Sequence, residues 1–174
     1  MDDIKATIIN RDLNPYHSFL SSFFAGLAEL GMLNQGSINI VSRRAAEYLY
    51  SYLDAKQILP DMNAVPGDST AEVVRNLILY INKILSLMGD YELQEIEEGQ
   101  VVLLVAADKC RICPKGVGGA EIKGTLCPIP CFLESLVNKI AGTELIDLIT
   151  AGIEKEGTTC KAIFKLNPEV TISK

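Results

Sequence analysis

Five cysteines in 174 residues carry the clearest chemistry in this chain. Cys110-Arg111-Ile112-Cys113 sets two thiols three positions apart, and Pro114-Lys115-Gly116 continues a tight turn behind them. Two sulfurs at that spacing reach a single ion at the roughly 2.3 Å of a zinc–thiolate bond. Cys127-Pro128-Ile129-Pro130-Cys131 follows, so a C-x2-C pair and a C-x3-C pair place four thiols within 22 residues. The compact set Cys110, Cys113, Cys127 and Cys131 needs no tertiary assumption. Cys160 stands apart and, taken alone, reads as a small buried hydrophobe. Zinc is the expected metal, and an iron–sulfur cluster is the alternative that four thiolates also serve. A redox C-x-x-C is disfavoured, because such sites open a helix after a strand and here Pro114 and a glycine-rich loop come next.

Other residues offer less. His17 is the only histidine; it has no Ser or Cys neighbour that makes a triad and reads as a helix-start or surface residue. Asp108 reads as a solvated strand end. Gly116-Val117-Gly118-Gly119 lacks the G-K-[ST] of a phosphate loop, and no G-x-G-x-x-G is present. No complete catalytic constellation emerges.

The elements that must position the thiols follow from apolar spacing. Residues 15–33 carry Leu20, Phe23, Leu27 and Leu30 as one stripe, and residues 37–59 repeat the pattern with Ile38, Val41, Ala45, Tyr48, Leu49, Tyr52 and Leu53 behind Ser37 as N-cap. Residues 60–68 are a turn-rich loop. Ser69-Thr70-Ala71-Glu72 fits a capping box, and a helix apolar nearly all round follows to Met88, with Gly89 as its C′ residue. Strands are predicted at 91–96 and at 100–107, the latter a continuous apolar run that should be central and covered on both faces. An irregular loop occupies 108–124. A short helix over 131–141 begins behind Pro130. Strands at 144–154 and 158–166, joined by a turn at Glu156-Gly157, end the chain, with Cys160, Ala162, Phe164 and Leu166 alternating onto the core face. The expected fold class is α+β, a helical N-terminal half packed on a four-stranded, mainly antiparallel sheet, in a single domain over 1–174.

Composition narrows the partners. Sixteen Lys and Arg against 22 Asp and Glu give a net charge of −6, which argues against nucleic acid and against an anionic membrane surface. Arg43-Arg44 reads as a solvated helix face. The start, Met1-Asp2-Asp3-Ile4-Lys5, has no apolar signal region, and the longest apolar run is far short of the roughly 20 residues that span a bilayer. A soluble cytoplasmic chain with no membrane span is expected, and there five cysteines read as metal ligands before disulfides.

The order of elements, with Cys110-Arg111-Ile112-Cys113-Pro114-Lys115-Gly116, then Gly124-Thr125-Leu126-Cys127-Pro128-Ile129-Pro130, then Gly157-Thr158-Thr159-Cys160-Lys161-Ala162-Ile163-Phe164, resembles the 4-vinyl-reductase-like domains, in an archaeal branch, which are related in fold to TRAPP vesicle-tethering subunits. The resemblance implies an apolar pocket between helices and sheet, a structural zinc beside it, and a homodimer through the helical half. It maps the family's helix-start cysteine onto Cys127 and its last-strand cysteine onto Cys160. It thereby prefers Cys110, Cys113, Cys127 and Cys160 as the ligands, with Cys131 as the alternative fourth. Family members that bind aromatics carry Glu-x-x-Cys before the hairpin turn; here Glu154 is present and Gly157 fills the cysteine slot.

The expected function is a zinc-containing domain that holds an apolar or acyl small molecule, as sensor or carrier. Leu77, Ile81, Ile84, Phe132, Leu136 and Phe164 are the expected pocket residues. A metal- or thiol-dependent enzyme of tetrapyrrole or redox metabolism is the alternative from another class, and it needs an open metal position or a low-pKa thiol. A dimeric adaptor with a structural zinc is a third, resting on Phe19, Phe24 and Tyr50 as aromatics off the main helix stripes and therefore exposed.

Overall fold

The structure is a computed structural model and describes residues 2–96, 99–117, 126–149 and 152–167. The Glu97-Glu98 turn, much of the 108–124 loop, Gly124-Thr125 and part of the expected 144–154 strand lie outside the described residues. Six helices and five strands run in the order α1 (Asp2–Asn10), α2 (Pro15–Glu29), α3 (Gln35–Ala55), α4 (Thr70–Leu85), β1 (Tyr91–Ile96), β2 (Gln100–Ala106), α5 (Pro114–Val117), α6 (Ile129–Ala141), β3 (Ile146–Leu148), β4 (Glu154–Glu156) and β5 (Thr159–Leu166). The class is α+β, with helices mostly N-terminal and an antiparallel sheet in the C-terminal half.

The sheet has five strands rather than four. β2 lies between β1 and β5, and both β3 and β4 pair with β5. Leu148 faces Phe164 whereas Glu154 faces Lys161. Six steps along one strand therefore match three along the other. The strand expected over 144–154 is described as two, β3 and β4, each pairing with β5, and Ile153 just ahead of β4 is buried.

Helices cover one sheet face. Val101, Leu103 and Val105 of β2 belong to the core together with Ala162 and Phe164 of β5. On the other face Leu104 and Ile163 stay partly exposed beside Glu92, Gln94 and Lys161. The expectation that β2 is covered on both faces holds in part: Val102 is buried on the second face, whereas Leu104 beside it is half-exposed.

The helical stripes are right at Leu20, Ile38, Leu49 and Leu53, which are buried or pack against the core, and are corrected elsewhere. In α2 the buried positions are His17, Ser21, Phe24 and Ala25, and in α3 they are Ile38, Ser42, Ala46 and Leu53. Phe23, Leu30, Val41, Tyr48 and Tyr52 are exposed. Small side chains at Ser42 and Ala46 let α6 approach α3 closely, so the buried face is the one that packs and not the one with the largest residues. The buried hydroxyls are satisfied inside their own helices, Ser21 Oγ donating to His17 O and Ser42 Oγ to Ile38 O, each at 2.6 Å. Phe19 is exposed as expected, but Phe24 is buried and Tyr50 packs against the core.

Helix ends differ in detail. α3 starts at Asn34, whose side chain accepts from Ser37 N at 2.9 Å while Ser37 Oγ accepts from Asn34 N; Ser37 is thus the far half of the capping box. Ser69 caps α4 as expected, accepting from Glu72 N. α4 stops at Leu85, before Gly89, because Asn82 binds both backbone groups of Met88: Nδ2 donates to its carbonyl and Oδ1 accepts from its N–H, each at 2.9 Å. Ser86 takes the left-handed turn at φ 52°. α1 was not signalled by apolar spacing, since none of its described side chains is buried.

Candidate metal centre

Three separate segments bring thiols together. β2 ends at Ala106, and the chain turns so that Met88 and Cys110 pair as an isolated bridge, with Gly89 N donating to Lys109 O at 3.0 Å and Arg111 N to Leu87 O at 2.9 Å. A Cβ at Gly89 would stand 3.2 Å from the Lys109 carbonyl, so glycine permits this approach. The turn carries Cys110 and Cys113. Cys127 sits just ahead of α6, where Gln35 Nε2 at the start of α3 donates to its carbonyl at 3.4 Å. Cys160 lies on β5 opposite Val105 and Lys155.

Cys110, Cys113, Cys127 and Cys160 all line one cavity of about 90 Å³. Arg11, Lys115 and Lys155 reach the same cavity and Ile153 closes part of it. Cys131 is elsewhere. It is buried in α6, where Arg43 and Glu134, joined at 2.9 Å, are the charges that act on it. All five cysteines are free thiols.

Electrostatics follow from crowding and burial. Burial first, then Cys113, push the Cys110 thiol up to about 12. Burial and Cys110 hold Cys127 well above the ordinary thiol range. Burial and Cys113 raise Cys160, while Lys155, Arg11 and Lys115 pull it down. These thiols are protonated when nothing replaces their protons, so the cavity offers no low-pKa nucleophile among them. Neighbouring thiols add to the burial at Cys110, Cys127 and Cys160, a crowding that a cation relieves.

The donor chemistry fits a thiophilic ion. Four sulfurs are the set zinc takes in closed structural sites, and four thiolates around a divalent ion leave two net negative charges. Arg11, Lys115 and Lys155 offset them. Among the described residues no group of three or more His, Cys, Asp or Glu side chains is disposed to hold a metal ion; the four sulfurs share a cavity without forming such a group.

A second cavity adjoins the first. It measures about 250 Å³ and is lined by apolar side chains, among them Phe24, Leu49, Leu87, Ile112, Pro128 and Phe132. Ile112 lies between Cys110 and Cys113, and Pro128 follows Cys127, so the cysteine segments wall both cavities. Of the six expected pocket residues, Phe132 lines this space. Leu77, Ile81, Leu136 and Phe164 are fully packed in the core, and Ile84 is 37% exposed. None of those five lines this space, which lies against α2 and α3.

Sequence reasoning missed Arg11, Lys115 and Lys155. The hairpin register could have placed Lys155 beside Cys160; nothing local pointed to Arg11. His17 is a helix-start residue but buried: its Nδ1 accepts from Asn14 N at 3.3 Å and Nε2 faces Leu85 O at 3.1 Å, which assigns the proton to Nε2. Asp108 is exposed, as a solvated strand end should be.

The MJ0207 family model matches residues 31–166. That span holds all five cysteines. Over 66 residues the chain is 32% identical to the uncharacterized protein MJ1342 of Methanocaldococcus jannaschii, covering 38% of this chain and 54% of that protein. The chain thus spans about half the length of the curated relative it matches. No solved structure matches the chain. No helix of the described residues is long and apolar enough to cross a membrane.

Proposed function

The chain belongs to the MJ0207 family, and on that premise we propose that it is a zinc-containing binding domain that holds an apolar or acyl small molecule beside a thiolate metal site. The observation that carries the reading is the meeting of Cys110, Cys113, Cys127 and Cys160, drawn from three segments, at a single cavity. Scattered structural cysteines have no reason to converge. Four thiolates close a zinc shell and leave no position for substrate, which favours a structural ion over catalysis. The adjoining apolar cavity of about 250 Å³ exceeds the roughly 150 Å³ apolar space known to take up benzene. A short acyl chain or a small aromatic is of suitable size. The resemblance to 4-vinyl-reductase-like domains points the same way, and five free thiols accord with the reducing cytoplasm.

A homodimer is part of the proposal. Tyr16, Phe19 and Phe23 of α2, Leu30 at its C-cap, and Tyr48 and Tyr52 of α3 are all more than half exposed, and Phe19 stacks on Phe23 at 6.1 Å between ring centroids. An apolar surface of that kind marks an interface.

Native mass spectrometry tests the whole reading. The expected spectrum shows one zinc per chain, a dimer, and a bound apolar mass that leaves on organic extraction. Chains without metal under zinc-replete conditions contradict the metal site; an iron–sulfur mass replaces zinc with the cluster. Repeated preparations with neither bound ligand nor saturable uptake of a hydrophobic probe contradict the pocket.

A further inference from the structure

We infer that the apolar cavity takes its ligand by a purely hydrocarbon end of about ten carbons, and that Ile112 and Pro128 are the floor against which that end stops. This ruler presupposes the ligand site proposed above and needs no metal in the neighbouring cavity.

The lining decides the chemistry. Among the described residues ten line the cavity, and Ser42 is the only polar one of them. Its Oγ already donates to Ile38 O at 2.6 Å, inside its own helix. A ligand carbonyl or carboxylate in this space finds no side-chain donor, and a charged group finds no counter-ion among the lining residues. The lone pairs left on Ser42 are the one side-chain partner a ligand hydroxyl could meet. Burying a polar group without a partner is unfavourable, so the part of a ligand that enters is hydrocarbon.

Burial along the lining gives the cavity a direction. Ala45 on α3 is exposed, and Leu20 on α2 and Leu49 on α3 are half-exposed. The mouth therefore lies between α2 and α3. Phe24, Leu87, Ile112 and Pro128 are buried. The far end is the wall made by the cysteine turn and by the segment that leads into α6. A ligand's polar group stays in water at the mouth while its hydrocarbon end points at Ile112 and Pro128.

Volume sets the length. An apolar space of roughly 150 Å³ takes up benzene, with its six carbons, so in proportion about 250 Å³ holds about ten. Each methylene buried on the way to the floor raises affinity about fourfold. Methylenes beyond that stay in water at the mouth and add nothing. Ile112 is flanked by Cys110 and Cys113 and Pro128 follows Cys127, so the hydrocarbon length is read at the wall of the thiol cavity.

Displacement of N-phenyl-1-naphthylamine from the full chain by 1-alkanols, from hexanol to dodecanol, tests this. Affinity is expected to rise about fourfold per methylene as far as about decanol and to level off after it. 1,10-Decanediol must place a hydroxyl at the floor. It is expected to bind about a hundredfold less tightly than 1-decanol, the discrimination an apolar pocket shows against an added hydroxyl. In Ile112→Ala the break is expected about three carbons later, the number the truncation removes, so that affinity still climbs at dodecanol. If that variant does not fold, Ile112→Val is read in its place, with the break about one carbon later. No saturable uptake of the probe or of any alkanol contradicts the ligand site itself, and the ruler falls with it. Saturable uptake that climbs unbroken through dodecanol in the unaltered chain, a diol that matches decanol, or a break that stays put in a folded Ile112 variant leaves the site standing and overturns the ruler.

Discussion

The two cavities that share the cysteine segments are both lined largely by apolar surface and differ in what else reaches them. One holds four sulfurs and three cationic side chains in about 90 Å³; the other is apolar at about 250 Å³. The partition between them is one residue thick in places: Cys110 and Cys113 face the first while Ile112 between them faces the second, and Cys127 and Ile129 face the first while Pro128 faces the second. The backbone bonds of residues 87–89 to Lys109 and Arg111 fix one end of the cysteine turn and α6 fixes the Cys127 segment, so the partition between the cavities rests on a few residues held from both sides. The difference teaches that the thiol cavity can set the wall of the neighbouring one, so metal and ligand should not be independent.

Metal removal gives the largest expected effect. With the ion a thousandfold above its Kd, binding to the folded state contributes about 4 kcal/mol. For a domain of this size each kcal/mol moves Tm by about 2–4 °C, so chelation should lower Tm by roughly 8 °C or more and weaken uptake of a hydrophobic probe in parallel. A lowered Tm with unchanged probe binding would break the link between the cavities.

Ile112→Ala attacks the partition from the apolar side. Ile112 is 4% exposed, and truncation of a buried isoleucine costs about 2–5 kcal/mol. Zinc stoichiometry should hold while probe affinity changes. Loss of the metal together with the probe site would mean the two cavities are one.

Asn82→Ala is expected to cost about 1–3 kcal/mol, because it strands the Met88 N–H and carbonyl that Asn82 binds. Leu85, the last residue of α4, and Leu87, just after it, flank the apolar cavity. Denaturant unfolding should show the loss, with probe binding weakened and zinc content intact.

The same contrast explains what was legible in the sequence. The helix-then-sheet order, β1, β2, the β4–β5 hairpin and α6 rest on local spacing and turn chemistry, and they were placed within a few residues. The buried face of α3 was placed only in part, because Ser42 and Ala46 are buried for their smallness against α6, a tertiary fact that hydrophobicity does not encode. The C-x2-C turn was visible as a pair. That Cys160 and not Cys131 lies beside it depends on β5 running next to β2 and on α6 directing Cys131 toward Arg43 on α3. Spacing alone left both sets open. Arg11 was invisible, since it follows a helix with no apolar stripe.

The central claim is that four particular thiols hold one ion, and zinc content of the five single Cys→Ser variants tests it most directly. Cys110→Ser, Cys113→Ser, Cys127→Ser and Cys160→Ser should each lose bound zinc and unfold at lower temperature, since the ion's binding is coupled to folding. Cys131→Ser should keep one equivalent. Zinc released by Cys131→Ser and fully retained by Cys160→Ser would contradict the assignment, and one equivalent retained by all five would contradict the thiolate site itself.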